Sequence, residues 1–253
     1  MSVLEVSQLQ KIYKSRFSAT QVEALKKVSF KAEEGEFVAI MGESGSGKTT
    51  LLNILAALDR PTSGEVKIEG RDAAKISQRE LASFRRRHLG FLFQDYSLLD
   101  TFTNKDNILL PLVLNGEKIG DMEAALRPLA KRLGITDILN KYPYEISGGQ
   151  KQRVAAARAL ITGAELLLAD EPTGALDSKS SQELLDMFEQ LNQQGQTIVM
   201  VTHSTGAASY ASRVLYMRDG KLIWEMDRRN ASREQFFDAL SRQLLKKPEA
   251  DRV

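Results

Sequence analysis

The chain has 253 residues, which suits a single α/β unit that carries an inserted subdomain. Its 35 Lys and Arg nearly balance its 33 Asp and Glu, and the resulting net charge of +2 disfavours nucleic acid as a partner. The lack of cysteine excludes a disulfide framework and fits a reducing compartment.

The first predicted elements are strands. Residues 3–6 and 28–32 have strand patterns, and a turn at 31–36 leads into the apolar run 36–41. Residues 49–55 then show helical spacing. A glycine-rich loop joins this strand to this helix, which is the setting that a phosphate-binding loop requires.

The loop itself fits the phosphate-binding pattern. Its glycines let backbone N–H groups curl around phosphate oxygens, its lysine reaches the outer phosphates, and its hydroxyl meets magnesium. The following helix points its unpaired N–H groups and positive dipole end at the same phosphates. We therefore predict binding of ATP and Mg²⁺. The nucleotide-binding residues are predicted to be Gly42, Glu43, Ser44, Gly45, Ser46, Gly47, Lys48, Thr49 and Thr50, with Thr49 also a magnesium ligand.

The middle of the chain changes from strands to helices. After a break at 60–64, residues 65–69 predict a strand and residues 89–93 another. Between them, residues 77–87 predict a helix whose arginines form a solvated face, with His88 on the same charged face. From residue 103 to about 162, helical patterns and loops predict an all-helical subdomain inserted into the sheet.

The sheet resumes in the last third of the chain. Residues 166–169 and 197–201 predict strands, and the helix predicted between them at 178–194 makes a crossover that implies parallel strands. Strands at 214–217 and 221–224 flank Asp219-Gly220, a strong hairpin signal. A terminal amphipathic helix is predicted over 232–247, capped by Ser232.

Two acidic residues, Asp170 and Glu171, close an apolar strand. A parallel sheet presents ligand-facing carboxylates at this end of its strands. We interpret Asp170 as holding Mg²⁺ through its water shell and Glu171 as polarising the attacking water. The alternative is that the Asp-Glu-Pro sequence only ends a strand before a turn.

His203 and Gln94 follow two other strands. Parallel strands would bring His203 beside the γ-phosphate, where a neutral imidazole could orient the water; a surface histidine is the alternative. Gln94 could bind magnesium and couple the nucleotide to the helical insert, or it could be an ordinary loop residue. Tyr13 could stack on adenine, or it could belong to the core.

A second anion-ready helix start is predicted before a helix near Lys151, with Ser147 as the cap and a phosphate donor. Two phosphate sites in one chain favour a homodimer in which each ATP lies between the loop of one copy and this turn of the other. ATP would then hold the pair together, and hydrolysis would release it. The turn consists of Ser147, Gly148, Gly149 and Gln150.

In their order and spacing, these motifs resemble those of the nucleotide-binding subunit of an ABC transporter, over roughly residues 1–225. The resemblance implies a P-loop NTPase fold: a RecA-like α/β core with a mostly parallel sheet, N-terminal antiparallel strands and an inserted all-helical subdomain. It divides the chain into a core at 1–94 and 163–227, the helical subdomain at 95–162, and a C-terminal extension at 228–253.

The resemblance also implies a role for each motif residue. Two positions depart from the family pattern, since Ile146 replaces the usual leucine and Ser204 replaces the aspartate that commonly follows the switch histidine. The implied roles are Tyr13 as adenine stacker, residues 42–49 as Walker A, Gln94 as Q-loop, residues 146–150 as signature, Asp170 and Glu171 as Walker B and catalytic base, Asp177 as the D-loop contact across the dimer, and His203 as the switch histidine.

Within the family, the chain is similar to macrolide-exporter and lipoprotein-release ATPases, and more closely to those of bacitracin-type antimicrobial-peptide resistance transporters. The stretches that carry this similarity are 88–100, 141–145 and 207–210. It implies an integral-membrane permease partner at the cytoplasmic face of the cell membrane and a sensor histidine kinase reached through that permease. A mechanical module that moves no solute across the membrane is an alternative.

Other features limit the competing classes. The longest apolar run, residues 108–114, is far below the ~20 residues of a spanning helix, and residues 1–10 lack signal-peptide features. We therefore expect the chain to reach a membrane only by docking to another protein. A chromosome-organising ATPase would need a long coiled-coil insertion, and a translation-type protein would need a second phosphate loop.

Overall fold

The computed structural model describes residues 1–14 and 21–246. Residues 247–253, where the predicted terminal helix and C-terminal extension end, lie outside the described residues. The strands are β1 (Ser2–Lys14), β2 (Gln21–Glu33), β3 (Phe37–Met41), β4 (Ser63–Ile68), β5 (Arg71–Asp72), β6 (Leu89–Leu92), β7 (Leu166–Asp170), β8 (Thr197–Thr202), β9 (Arg213–Arg218) and β10 (Lys221–Asp227). The helices are α1 (Lys48–Leu55), α2 (Gln78–His88), α3 (Asn104–Asn115), α4 (Ile119–Arg132), α5 (Gly148–Leu160), α6 (Ser178–Gln193), α7 (Thr205–Ala208) and α8 (Arg233–Leu245).

The central sheet has six strands in the order β10-β9-β3-β8-β7-β6. All neighbours from β9 to β6 are parallel, and only β10 pairs antiparallel with β9. Every residue of β3 and β8 is buried. Strands covered on both faces read as continuous apolar runs, which is why the sequence shows no alternation there. The predicted mostly parallel sheet is confirmed.

A second sheet, in the order β2-β1-β4-β5, is antiparallel throughout. Its first two strands each have 13 residues and are much longer than the segments predicted at 3–6 and 28–32. The register shifts several times along the pair, and Gln8 and Lys27 adopt φ values of 48° and 56°. These irregularities break the alternation of buried and exposed residues, so the sequence pattern revealed only the most buried segments.

Two apolar clusters cover the two faces of the central sheet. Helix α1 supplies Leu51, Leu52 and Leu55 to one of them, together with residues of β1 and β2. Helices α5 and α6 pack into the other, where Val154 and Phe188 are fully buried. The loop that precedes α1 is therefore anchored between two sheets, and the ends of β7 and β8 are fixed beside it.

The stretch between β6 and β7 is helical, as predicted. It contains α3, α4 and α5 and two 3-10 turns, at Thr136–Ile138 and Pro143–Glu145. Helix α5 begins at Gly148 rather than near Lys151, because Ser147 caps it. In residues 1–14 and 21–246, no helix combines the length and apolarity needed to cross a bilayer.

The interpretation of the α2 arginines as a solvated face was wrong in part. Arg85 donates to the carbonyl oxygen of Ala57 at 3.0 Å, and Arg86 donates to Oδ1 of Asn115 at 2.9 Å. His88 is not only a charged-face residue, because its Nδ1 lies 2.7 Å from a carboxylate oxygen of Glu69. These side chains join α2 to its neighbours, which a sequence pattern of consecutive cations does not reveal.

Candidate functional site

The glycine-rich loop lies between β3 and α1 and is closely packed. A Cβ at Gly42 would lie 2.1 Å from the carbonyl oxygen of Met217, and one at Gly47 would lie 2.5 Å from that of Ala24. Gly47 also has a φ of +99°, a conformation that other residues rarely adopt. Glycine is therefore required by close contact and by conformation. Helix α1 begins at the next residue, Lys48, so its unpaired N–H groups face the loop.

The side chain of Lys48 is folded into this loop and is only 7% exposed. Its Nζ donates to the carbonyl oxygens of Gly42 at 2.8 Å and Glu43 at 2.7 Å. Burial lowers the pKa of Lys48, while the nearby carboxylates of Glu171 and Asp170 oppose that shift. The loop thus holds a cation on its inner side, which is the charge that an anionic ligand needs.

Asp170 is the last residue of β7, beside the loop. Its Oδ1 is buried and has no hydrogen-bond partner. Burial, together with the charge of Glu171, raises the pKa of the Asp170 carboxyl, and Lys48 opposes the shift. An uncompensated buried carboxylate oxygen is costly for the fold, and a bound cation would satisfy it.

Glu171 follows in a left-handed conformation with a φ of 45°. Such a conformation costs on the order of 1 kcal/mol in a residue other than glycine, and it is maintained here by surrounding contacts. The N–H of Glu171 donates to Val201 of β8 at 3.0 Å, and its carbonyl oxygen accepts from Gly174 at 2.9 Å. These bonds therefore fix the backbone of Glu171 against β8 at the turn after β7.

His203 comes directly after β8 and contacts Glu171 twice. The ring Nδ1 lies 2.9 Å from Oε1, and the backbone N–H donates to Oε2 at 3.3 Å. The glutamate side chain is 15% exposed and the histidine side chain 68%. Ser204, the departure from the family pattern, caps α7 by accepting from the N–H of Ala207 at 3.2 Å.

Lys48, Glu171 and His203 line one cavity of about 800 Å³, whereas Asp170 precedes the lining residue Glu171 and is not itself part of the lining. It contains seven of the nine predicted residues at 42–50, and it brings Gln94, Glu171 and His203 together from the ends of three strands. In the described part of the chain, no group of three His, Cys, Asp or Glu could hold a metal by itself. The residues that line the cavity are Val22, Glu23, Ala24, Lys26, Glu43, Ser44, Gly45, Gly47, Lys48, Thr49, Thr50, Gln94, Glu171, His203, Asp219 and Gly220. Ser46 is buried within the loop, and its Oγ has no partner.

The second predicted phosphate turn lies at the start of α5. Ser147 accepts from the N–H of Gln150, and the Gln150 side chain in turn accepts from the N–H of Ser147 at 3.0 Å. A Cβ at Gly149 would lie 2.8 Å from Oγ of Ser180 on α6, and one at Gly148 would lie 3.0 Å from the Tyr96 hydroxyl. The turn thus packs against α6 and Tyr96, and the predicted cap is confirmed.

Asp177 and Tyr13 occupy separate places. Asp177 caps α6, where its carboxylate accepts from the N–H of Ser180 at 2.9 Å and from its Oγ at 2.6 Å. Both bonds lower the pKa of Asp177, and the bond from the Ser180 hydroxyl has the larger effect. Tyr13 is 43% exposed, so it is not a core residue, and its hydroxyl donates to Asp59 at 2.9 Å.

Two side chains of α5 that sequence reasoning missed hold the segment around Gln94. The fully buried Gln152 donates from Nε2 to the carbonyl oxygens of Pro172 at 2.9 Å and Phe93 at 3.4 Å. Arg158 donates to those of Ser97 at 2.6 Å and Tyr96 at 2.9 Å. The sequence signal was a polar residue at an inward-facing helix position, which is visible only once the helix phase is known.

The family model described as "ABC transporter" matches residues 25–174 of this chain. The bacitracin export ATP-binding protein BceA of Halalkalibacterium halodurans is 49% identical over 238 residues, which cover 94% of this chain and 93% of that protein. The chain belongs to the ABC transporter family. The resemblance read from the motifs is confirmed, and so is the similarity to bacitracin-type ATPases.

Two further relatives define the place of the chain among ABC transporters. The macrolide export ATP-binding/permease protein MacB of Hyphomonas neptunium is 43% identical over 92% of this chain, which spans only 36% of that larger protein. A solved structure described as a dimeric post-hydrolysis state of the ATP-binding cassette MJ0796, bound to ADP and Pi, superposes with a TM-score of 0.81. It is 37% identical and covers 90% of this chain and 99% of its own.

These findings confirm the predicted P-loop NTPase fold and establish the general activity. The chain is an ATP-binding and ATP-hydrolysing subunit of a membrane transporter, and the predicted binding of ATP is confirmed. The cavity beside the glycine-rich loop is the candidate nucleotide site, because it combines the loop, a buried lysine and the carboxylate of Glu171.

Proposed function

We propose that two copies of this chain bind two ATP molecules between them and use hydrolysis to drive a permease in resistance to bacitracin-like antimicrobial peptides. The shared site is supported by the separation, within one copy, between the residues that line the cavity and the Ser147 turn. All residues that line the cavity come from β2, the phosphate loop with α1, the strand ends, and the β9–β10 turn. Ser147 instead caps α5 and packs with its neighbours toward α6. A second copy is needed to bring its Ser147 turn to the nucleotide, and the dimeric MJ0796 cassette is a precedent.

The residues around the loop fit a magnesium ion. Mg²⁺ is usually bound by one or two protein oxygens together with water and substrate phosphates, so a cluster of three acidic ligands is not required. The Thr49 hydroxyl, the Gln94 amide and the unpartnered Oδ1 of Asp170 would hold it. When bound, it would neutralise phosphate charge. Asp170 would also gain the cation that its buried oxygen lacks.

Glu171 is the proposed base and His203 its positioning partner near the γ-phosphate. The double contact with His203 fixes both carboxylate oxygens of Glu171, so the side chain cannot rotate away from the cavity. A held carboxylate can accept a hydrogen bond from water and direct its lone pair toward the phosphoryl group. Lys48 would then exchange its two loop carbonyls for phosphate oxygens.

Within the dimer, the Ser147–Gln150 turn would meet the partner's ATP, and Asp177 would face the partner copy. Ser147 already has its hydroxyl at a helix N-terminus, and Gly148 and Gly149 belong to the first turn of α5, whose backbone N–H groups lack partners within the helix. Asp177 sits at the start of α6, next to the packing contact between Gly149 and Ser180. The two motifs are therefore joined by this contact and would face the partner copy together.

We further propose that the permease docks in a groove of about 320 Å³ between the core (1–94 and 163–227) and the helical subdomain (95–162). Leu58, Phe91 and Phe93 give the groove apolar lining, and Arg86 and Arg158 line it as well. A cytoplasmic helix with an apolar face and acidic neighbours fits this chemistry. Because Phe93 precedes Gln94, the groove lies one residue away from the nucleotide cavity.

The proposed biological role is resistance to bacitracin-like peptides. The similarity to BceA over nearly both full lengths favours bacitracin-like peptides over the macrolides named for MacB. A permease partner would place the chain at the cytoplasmic face of the membrane, and a sensor histidine kinase acting through that permease remains a prediction. We propose that the ATPase core ends at residue 227 and that residues 228–253 form an extension of it.

Co-expression with a candidate permease tests the proposed role. Wild-type chain should raise bacitracin resistance of a sensitive host, and Glu171→Gln should abolish the increase at equal protein levels. Resistance to macrolides without resistance to bacitracin would favour the macrolide-exporter reading. Protection without peptide movement into or out of inverted vesicles would identify a mechanical module.

A further inference from the structure

Tyr13 lies at the edge of the nucleotide cavity rather than inside it. Its partner in the β1–β2 register is Val22, which lines the cavity, and directly opposed residues of antiparallel strands lie on the same face. Thr50, another lining residue, forms a side-chain hydrogen bond with the Tyr13 hydroxyl. Burial, the largest cause, raises the pKa of Tyr13 overall, although this bond acts to lower it. The ring is 43% exposed, so a planar ligand can reach it.

Both carboxylate oxygens of Asp59 are used to fix this ring and a neighbouring cation. Oδ1 accepts from Nζ of Lys11 at 2.7 Å, and Oδ2 accepts from the Tyr13 hydroxyl at 2.9 Å. Burial acts to raise the pKa of Asp59, but the hydrogen bonds from Lys11 and Tyr13 outweigh it and lower the pKa. The carboxylate therefore remains ionised at neutral pH.

Lys11 is in turn held against the ring. Its side chain is only 12% exposed, its Nζ also donates to the carbonyl oxygen of Arg60 at 2.6 Å, and it lies 4.8 Å from the centre of the Tyr13 ring. This distance is within the range of a cation–π contact. One face of the ring is thus occupied by a fixed ammonium group, and a base can stack only on the other.

We propose that Asp59 and Lys11 are positioning residues for the adenine base, because they fix the tilt of the Tyr13 ring and cover one of its faces. The inference rests on the proposed role of Tyr13 as the adenine stacker. The side chains of Lys11 and Asp59 bond to each other, to Arg60 and to Tyr13 rather than to the phosphate loop, so we expect them to act on binding of the base and not of the triphosphate. Asp59 lies shortly after the end of α1. It therefore connects the base platform to the helix that carries the phosphate site.

Titration of the full chain with ATP and with inorganic tripolyphosphate tests the proposal. Tyr13→Ala should raise the Kd for ATP about tenfold, since loss of a base–aromatic stack has effects of that order. Asp59→Ala should raise it about threefold and leave the Kd for tripolyphosphate unchanged, and Asp59→Asn should lie between Asp59→Ala and wild type. In the Tyr13→Ala background, Asp59→Ala should have no further effect on ATP.

Asp72→Ala is the matched control, because it removes an aspartate–lysine contact of 2.8 Å with Lys75 that involves no tyrosine. It should leave both Kd values unchanged, and thermal unfolding should show that all variants are folded. Equal weakening of ATP and tripolyphosphate by Asp59→Ala, or an effect that persists without Tyr13, would overturn the positioning role. An unchanged Kd for ATP in Tyr13→Ala would instead refute the role of Tyr13 as the base platform. The phosphate site is tested separately by the Kd of Lys48→Ala for ATP.

Discussion

The ring Nδ1 of His203 lies 2.9 Å from Oε1 of Glu171, while the backbone N–H of the same histidine donates to Oε2 at 3.3 Å. The carboxylate is thus held at two points by one residue of the adjacent strand end. The side-chain contact depends on the imidazole, whereas the backbone contact survives any substitution other than proline.

His203→Ala is therefore expected to lower kcat for ATP hydrolysis by about 100-fold, an effect typical of losing a group that orients a general base. Binding of ATP should change little, because the phosphate loop is untouched. Steady-state hydrolysis and direct titration measure the two quantities. His88→Ala, which removes a similar contact of 2.7 Å with Glu69 away from the cavity, is the control and should retain wild-type kcat.

Lys48→Ala should act on binding instead. The variant loses the buried ammonium that faces the cavity, and hydrogen bonds to charged groups contribute about 1.5–3 kcal/mol each, so the Kd for ATP should rise at least about tenfold. Isothermal titration checks this. Lys67→Ala, at an exposed pair with Glu65, serves as the control. A Kd near that of wild type would exclude Lys48 as the phosphate ligand.

Asp170→Asn is expected to stabilise the nucleotide-free fold while impairing turnover. Because the pKa of Asp170 is raised in the folded state, ionisation of this group opposes folding above the carboxyl's unfolded pKa. The variant should thus have a higher Tm than wild type at pH 7, by about 2–4 °C for each kcal/mol relieved. The difference should shrink as the pH falls toward the ordinary carboxyl pKa of 3.8, because the wild-type carboxyl then becomes protonated in the unfolded state as well as in the folded one.

Thermal unfolding between pH 4 and pH 8 measures this effect, with the exposed Asp137→Asn as the control. A Tm for Asp170→Asn below that of wild type at pH 7 would show that the carboxylate stabilises the fold even without a ligand. Such a result would argue against our inference that the buried Oδ1 of Asp170 destabilises the ligand-free fold in return for binding a metal.

The sequence predicted the parts of the fold where one local pattern determines the outcome. Fully buried strands such as β3 and β8 are continuous apolar runs, and the Asp219-Gly220 turn takes φ values of 50° and 79°, as a tight hairpin requires. The capping residues Ser147 and Ser232 were likewise identified from their own neighbours. In each case the information lies within a few residues.

Contacts between distant segments could not be predicted in this way. Asp59 meets Tyr13 across 46 positions, and Arg158 meets Ser97 across 61 positions. Asp59 and Arg158 read in the sequence as ordinary polar residues of a loop and a helix end. Their roles depend on how α1 and α5 are placed against the sheets, which is set by packing rather than by any local motif.

Ser147→Arg tests which copy contributes the second phosphate turn. The monomer should bind ATP with nearly wild-type affinity, because Ser147 does not line the cavity of its own chain, yet hydrolysis should be lost as the larger cation blocks closure. Affinity is measured at protein concentrations that keep the chain monomeric. Loss of affinity as large as that of Lys48→Ala would place Ser147 in its own chain's pocket and refute the arrangement between copies.

The central claim is that ATP itself joins two copies, and Glu171→Gln tests it most directly. The substitution removes the carboxylate but keeps the size of the side chain and leaves Asp170 and Lys48 in place, so ATP should bind and turnover should stop. Light scattering coupled to gel filtration gives the molar mass with and without Mg-ATP. The account predicts the mass of a dimer with Mg-ATP and of a monomer without it, whereas a monomer under both conditions would contradict the shared site.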